Sequence, residues 1–305
     1  MLALAACGAR SELYTPLGSG STEDATVSPD ALVGPSRLDC AEAGITYIYT
    51  FGTDNSLYSF YPTTGEFTLV GPINCPTINL EATPFSMAVD HQGVAYVEFG
   101  DGELFRVSTK TAECEPTAFR PGQPGFPSTF GMGFVAGGLD GGGVETLFVA
   151  GDPPANPNDP VPTPGPLGTI DLTTFQLTDL GLIGQAGAGL PVFQAELTGT
   201  GGGKLYAFFA SDPDFAPSYI VQINTQTLVV ESTVVLPGVV QGGGWAFGFW
   251  GGDFYMFTAP NAQAGDLTSV VTRYRPSDGT IAQVATAPFG VEMVGAGVST
   301  CAPQQ

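Results

Sequence analysis

The chain has almost no basic residues. Eight lysines and arginines stand against 29 acidic residues, for a formal net charge of −21, and lysine occurs only at Lys110 and Lys204. So few positive charges cannot assemble the cationic footprint that a nucleic-acid partner demands. Electrostatic docking on anionic lipid is excluded for the same reason. Histidine is scarcer still. With His91 as the one copy, a multi-histidine metal site is impossible, and a Ser-His-Asp triad would have to use a residue in a predicted turn. Zinc-type cysteine spacing is missing too. No run approaches the ~20 apolar residues of a membrane-spanning helix, and no stretch sustains a helical period.

What is abundant is apolar residues and turn formers. The hydrophobic share is 43%, with Gly 43 and Pro 26. The glycines sit between short apolar runs, as turn punctuation in an all-β protein. From about residue 44 the runs repeat. A first element is led by an aromatic: "FSMAV" at 85, "FGMGF" at 130, "FQAEL" at 193 and "WAFGF" at 245. Bulky residues alternate with small or polar ones, which is strand periodicity. A more apolar run follows each: "VAYVEF", "ETLFVAG", "KLYAFFA" and "DFYMFTA". A third strand, a polar turn and a fourth strand complete the unit, anchored at Leu57, Leu104, Leu167, Ile220 and Val271, roughly 50 residues apart. The "GGG" runs at 141, 201 and 242 lead into no Lys-Ser/Thr and helix, so they are turns and linkers rather than phosphate loops.

Four antiparallel strands repeated five times predict a five-bladed β-propeller over residues 44–305. The pattern resembles the broad class of secreted bacterial propellers, without Gly-His or Trp-Asp signatures. Blade one lacks its first strand, and the tail "VEMVGAG" fits that column, with Val291, Met293 and Gly295 set level with Phe85, Met87 and Val89. The C-terminal strand is therefore expected to close the ring, since an open ring would leave raw strand edges. Cys301 follows that strand and Cys40 precedes the next, so a Cys40–Cys301 disulfide is expected in place of the missing turn. Cys75 and Cys114, in adjacent blades, are left to pair with each other.

At the front, Leu4-Ala5-Ala6-Cys7 resembles the lipobox of bacterial lipoproteins. The resemblance implies that residues 1–6 are the remnant of a signal peptide and that Cys7 is lipidated. It also implies, with Gly8 rather than Asp after the cysteine, an outer-membrane or cell-surface address. Residues 7–43 then form a polar, Ser/Thr/Gly/Pro-rich tether. The four remaining cysteines make an even set, as disulfides in an oxidising compartment do.

Candidate chemistry is thin. Asp90, Glu196 and Glu292 fall in or just beyond predicted first strands, where two carboxylates could run glycoside hydrolysis; solvated or structural roles compete with that. Asp152, Asn156 and Asp159 in "GDPPANPNDP" are candidate calcium ligands, calcium being the one cofactor the acidic surplus suggests, although the spacing matches no known calcium loop. Trp250, at the turn after a strand, is either a ligand platform or turn packing, and Trp245 is expected in the core. The leading reading is a monomeric, lipid-anchored envelope propeller that binds a protein or glycan partner. A glycan-acting hydrolase and a purely structural envelope component are the alternatives.

Overall fold

The computed structural model describes residues 47–137, 144–152, 165–184, 194–210 and 217–305. Cys7, Cys40, Asn156 and Asp159 lie outside them. The chain opens with β1 (Ile48–Gly52), β2 (Ser56–Tyr61) and β3 (Glu66–Pro72), hydrogen-bonded as an antiparallel meander. Blade two follows as β4 (Pro84–Val89), β5 (Val94–Phe99), β6 (Leu104–Ser108) and the short β7 (Cys114–Pro116). Blade three is β8 (Phe130–Val135), β9 (Thr146–Gly151), β10 (Pro166–Ile170) and β11 (Leu177–Leu182). Blade four is β12 (Glu196–Gly199), β13 (Leu205–Ala210), β14 (Ser218–Ile223) and β15 (Val230–Leu236). Blade five is β16 (Trp245–Trp250), β17 (Asp253–Thr258), β18 (Val270–Arg275) and β19 (Thr280–Thr286). The last strand, β20 (Met293–Val298), returns to pair with β1, so that blade one reads β20-β1-β2-β3. The protein is a five-bladed β-propeller closed by its C-terminal strand, as expected.

The register of that closure differs from the sequence alignment. Residues up to Glu292 form a loop, with the Val291 N–H donating to the Pro288 carbonyl at 3.0 Å. Met293 pairs with Gly52 and Val298 with Ile48. Val294 rather than Val291 therefore stands at the level of Phe85, and both line one pocket. Pro288 and Gly290 spend three residues of the apparent strand on a turn.

Burial explains why the second run of each unit is the most apolar. Strands such as β5 and β9 are covered on both faces and are almost wholly buried, whereas the outer β3, β15 and β19 are largely exposed. Five apolar clusters fill the five gaps between neighbouring blades. Phe51, Leu57, Met87 and Val97 lie between blades one and two. Tyr96, Met132 and Phe134 join blades two and three, and Phe148, Leu197 and Phe209 join three and four. Phe208, Phe247 and Met256 fill the next gap. Ile48, Phe60, Phe257 and Met293 bring blade five against blade one. Every blade thus buries two faces against neighbours, and the ring is stable only when closed.

Small residues on the inner strands set the ring's radius. A Cβ on Gly131 would lie 1.9 Å from the Ala195 carbonyl oxygen, and one on Gly199 equally close to that of Phe134. Adjacent inner strands approach too closely there for any side chain. The alternation of bulky and small residues in "FGMGF" follows from that contact.

Candidate functional site

All five inner strands begin at one end of the ring, here called the upper face. Their first residues, with the turn after β1, surround a cavity of about 200 Å³ at the mouth of the central channel. Every blade contributes: Thr53 and Val294 from blade one, Phe85 from two, Gly131 from three, Glu196 from four and Trp245 from five. No basic residue among the described ones lines it. Trp245, expected in the core, is partly buried: it packs against the core between blades four and five and also walls the cavity.

Buried carboxyls stand in and around the cavity, with Glu196 in its lining. Glu196, the first residue of β12, accepts a hydrogen bond from the Ser86 hydroxyl of β4 at 2.9 Å. Ser86 Oγ in turn accepts the Met132 N–H of β8 at 3.1 Å. Behind Ser86, across the β4–β5 ladder, stands Glu98. Its Oε2 accepts the Phe130 N–H at 2.9 Å, while its Oε1 is buried without a partner among the described residues. Burial pushes the Glu98 and Glu196 carboxyls well above the ordinary carboxylate range, and for Glu98 the proximity of Glu196 adds to the effect. Glu292 lies just before β20. A Cβ on Gly243 would meet its Oε1 at 2.5 Å, and one on Gly244 its Cγ at 2.7 Å. Its carboxyl therefore rests on the two glycines that line the cavity on the blade-five side. Burial raises its pKa, and its Oε1 has no partner among the described residues.

The third candidate acid is elsewhere. Asp90 follows β4 and so lies at the opposite, lower face. Its Oδ1 accepts the N–H groups of Gln92 and Val94 at 2.9 and 2.8 Å, capping the β4–β5 turn. Asp90 holds a turn and takes no part in the upper cavity. Its neighbour His91 is also occupied: its N–H donates to Glu145 Oε2 at 2.8 Å, and its Nδ1 lies 2.8 Å from the same oxygen. The Thr300 hydroxyl donates to the other oxygen of Glu145 at 2.6 Å. That carboxylate ties blades one, two and three together at the lower face.

Asp152 accepts a hydrogen bond from the Ser128 hydroxyl at 3.2 Å. No group of three metal-ligating side chains occurs among the described residues. Trp250 ends β16 at the lower face, with its ring edge-on to Tyr61 at 6.4 Å, packed on the core between blades five and one. Cys75 and Cys114 form a disulfide between the blade one–two connection and β7. Cys301 is disulfide-bonded, and Cys40, the partner expected for it, lies outside the described residues.

Sequence reasoning placed Glu196 and Glu292 in or just beyond first strands, and the fold sets Glu196 in the cavity wall and Glu292 beside it, against Gly243 and Gly244. It missed Glu98 and Ser86. The signal was present as the lone acid in the apolar run "VAYVEF", since a carboxyl in a strand buried on both faces must find donors.

No family model matches the chain, and no curated protein matches it. Among solved structures, a protein of unknown function from Bacteroides caccae is similar at 12% identity and TM-score 0.43, over 82% of this chain and 97% of that one. A TolB-like protein from Agrobacterium tumefaciens is similar at 11% identity and TM-score 0.42, over 81% and 79%. A chain of the Mitotic Checkpoint Complex covers 94% of this chain and 76% of its own, at 12% identity and TM-score 0.38. Likeness this distant assigns no residue a role.

Proposed function

We propose that this protein is a lipid-anchored cell-envelope propeller that binds a protein or glycan partner at the upper mouth of its channel. One observation carries the reading: a cavity to which all five blades contribute, walled by Phe85 and Trp245 and edged by Thr53, Thr83, Gln194 and Glu196. A concave site with aromatic walls and a few convergent polar groups is the usual form of a binding pocket.

The alternative of a glycan-acting hydrolase would use Glu196 and Glu292. Such a pair needs one protonated and one ionised member. Burial disfavours the charged form of both, and no basic residue among the described ones lines the cavity to offset that.

The test plugs the mouth. Thr83 is exposed at the rim, so Thr83→Trp fills the cavity from outside without entering the core. Wild-type protein is expected to retain an envelope partner or an arrayed glycan that Thr83→Trp loses at an unchanged melting temperature. Equal retention by both overturns the reading. Metabolic labelling with a fatty-acid analogue, present with Cys7 and lost in Cys7→Ser, tests the anchor.

A further inference from the structure

The upper face carries a second feature besides the cavity. Phe289 is 96% exposed, and Ile78 and Leu80 are each 88% exposed. Leu267 is the next exposed apolar side chain on this face. Ile78 and Leu80 belong to the segment that enters β4 at the cavity wall, and Phe289 to the loop that delivers Glu292 and β20. Hydrogen bonds join these loops into one arc. The Gly290 N–H donates to Thr268 Oγ1 at 2.9 Å, the Thr53 N–H to the Glu292 carbonyl at 2.9 Å, and the Ile73 N–H to the Asn55 carbonyl at 2.7 Å. Phe289, Ile78 and Leu80 are thus almost fully solvated apolar side chains on the loops around the cavity, the kind of surface a partner covers.

Charge on the same face is one-sided. Asp54, Glu81, Asp101, Glu103, Asp152 and Asp266 lie in its connections, and beside the cavity Glu292, itself 8% exposed, holds a buried acceptor oxygen with no partner among the described residues. Among the described basic residues only Arg120 lies in a connection on this side, and both lysines are in lower-face turns.

We infer that the upper face docks a basic polypeptide segment bearing apolar side chains, laid along the arc from Ile78 to Phe289. This inference rests on the reading of the upper face as the binding face. Apolar rim residues between acids call for a partner that alternates apolar and cationic groups. A glycan has nothing to bury against Ile78 and Leu80. An anionic lipid surface is repelled. A second copy meeting through this face would oppose acid to acid.

The test measures fluorescence anisotropy of short synthetic peptides with the full chain. The peptides alternate lysine with leucine, glutamate with leucine, or lysine with serine. The lysine–leucine peptide is expected to bind best and to weaken as salt rises. Phe289→Ser and the pair Ile78→Ser/Leu80→Ser should each weaken it about tenfold, whereas Leu69→Ser, which removes an exposed apolar side chain from outer strand β3, should not. Equal binding by the glutamate–leucine peptide or by the rim variants overturns the inference. So does self-association that Phe289→Ser abolishes. Thr83→Trp separates the two claims: if it loses the envelope partner while the rim variants keep it, the cavity reading stands and the rim inference falls.

Discussion

The Ser86 hydroxyl donates to Glu196 across 2.9 Å, joining the inner strands of blades two and four, which are not neighbours in the ring. The same oxygen accepts the Met132 N–H of blade three between them. One serine thus locks three inner strands at the floor of the upper cavity. Replacing it by alanine orphans two buried polar groups, and each lost partner costs about 1–3 kcal/mol. Ser86→Ala should shift the urea midpoint down accordingly. Glu196→Gln keeps an acceptor for Ser86 and should shift it little. Equal losses for the two variants would refute this role for Ser86.

The buried acids also set a pH dependence. Burial raises the folded-state pKa of Glu98 and Glu196 above the unfolded value. Between the two values the folded protein holds protons that the unfolded chain has released. Their contribution is therefore fully present below the unfolded carboxylate pKa, near ~4.3, and is lost as pH rises through the folded one. Urea melts above that point should show stability falling with pH. Glu98→Gln/Glu196→Gln should flatten the slope beyond what general acid repulsion accounts for. An unchanged slope contradicts the assignment.

Inner-strand glycines are expected to be intolerant. Gly131→Ala places a Cβ inside the van der Waals radius of the Ala195 carbonyl oxygen, and the clash cannot be relieved by rotating a side chain. The cost should reach about 3 kcal/mol or more, read as a lowered melting temperature. Gly137, where a Cβ meets nothing within 4 Å, is the control, with a smaller loss from its positive φ alone.

Closure should be cooperative. Deleting residues 290–305 removes β20, its ladder with β1, and the Met293, Ala296 and Val298 side chains from the blade one–five core. The truncated chain should lose the native melt altogether. Peptide mapping of the intact oxidised protein should recover Cys40 linked to Cys301, with Cys75 linked to Cys114. In the loop-entropy account the longer link, closing roughly 260 residues, contributes on the order of 5 kcal/mol. A truncated protein that melts like the full one, or a Cys7–Cys301 peptide, contradicts this.

The ring was legible because its units are strongly patterned. "FGMGF" and "WAFGF" alternate, the second runs are apolar throughout, and "VEMVGAG" filled a visible vacancy. The position of β20 within that vacancy was not. Gly295 and Gly297 break the bulky column, so nothing in the spacing marked Pro288–Glu292 as a loop. Glu196 and Glu292 were recognisable as acids at strand starts. Glu98 was hidden because a strand buried on both faces gives no sign of which neighbour its acid meets. The apolar rim was hidden because exposure of Ile78, Leu80 and Phe289 depends on what the connections fail to cover.

The most direct test of the upper face as the binding face is photo-crosslinking in the cell envelope. A photoreactive residue is placed at Thr83 on the cavity rim, and separately at Thr173, exposed in the lower-face turn after β10. The expected result is a discrete crosslinked partner from position 83 that Phe289→Ser weakens, with none from position 173. The same partner captured from position 173, and nothing from position 83, would contradict the account.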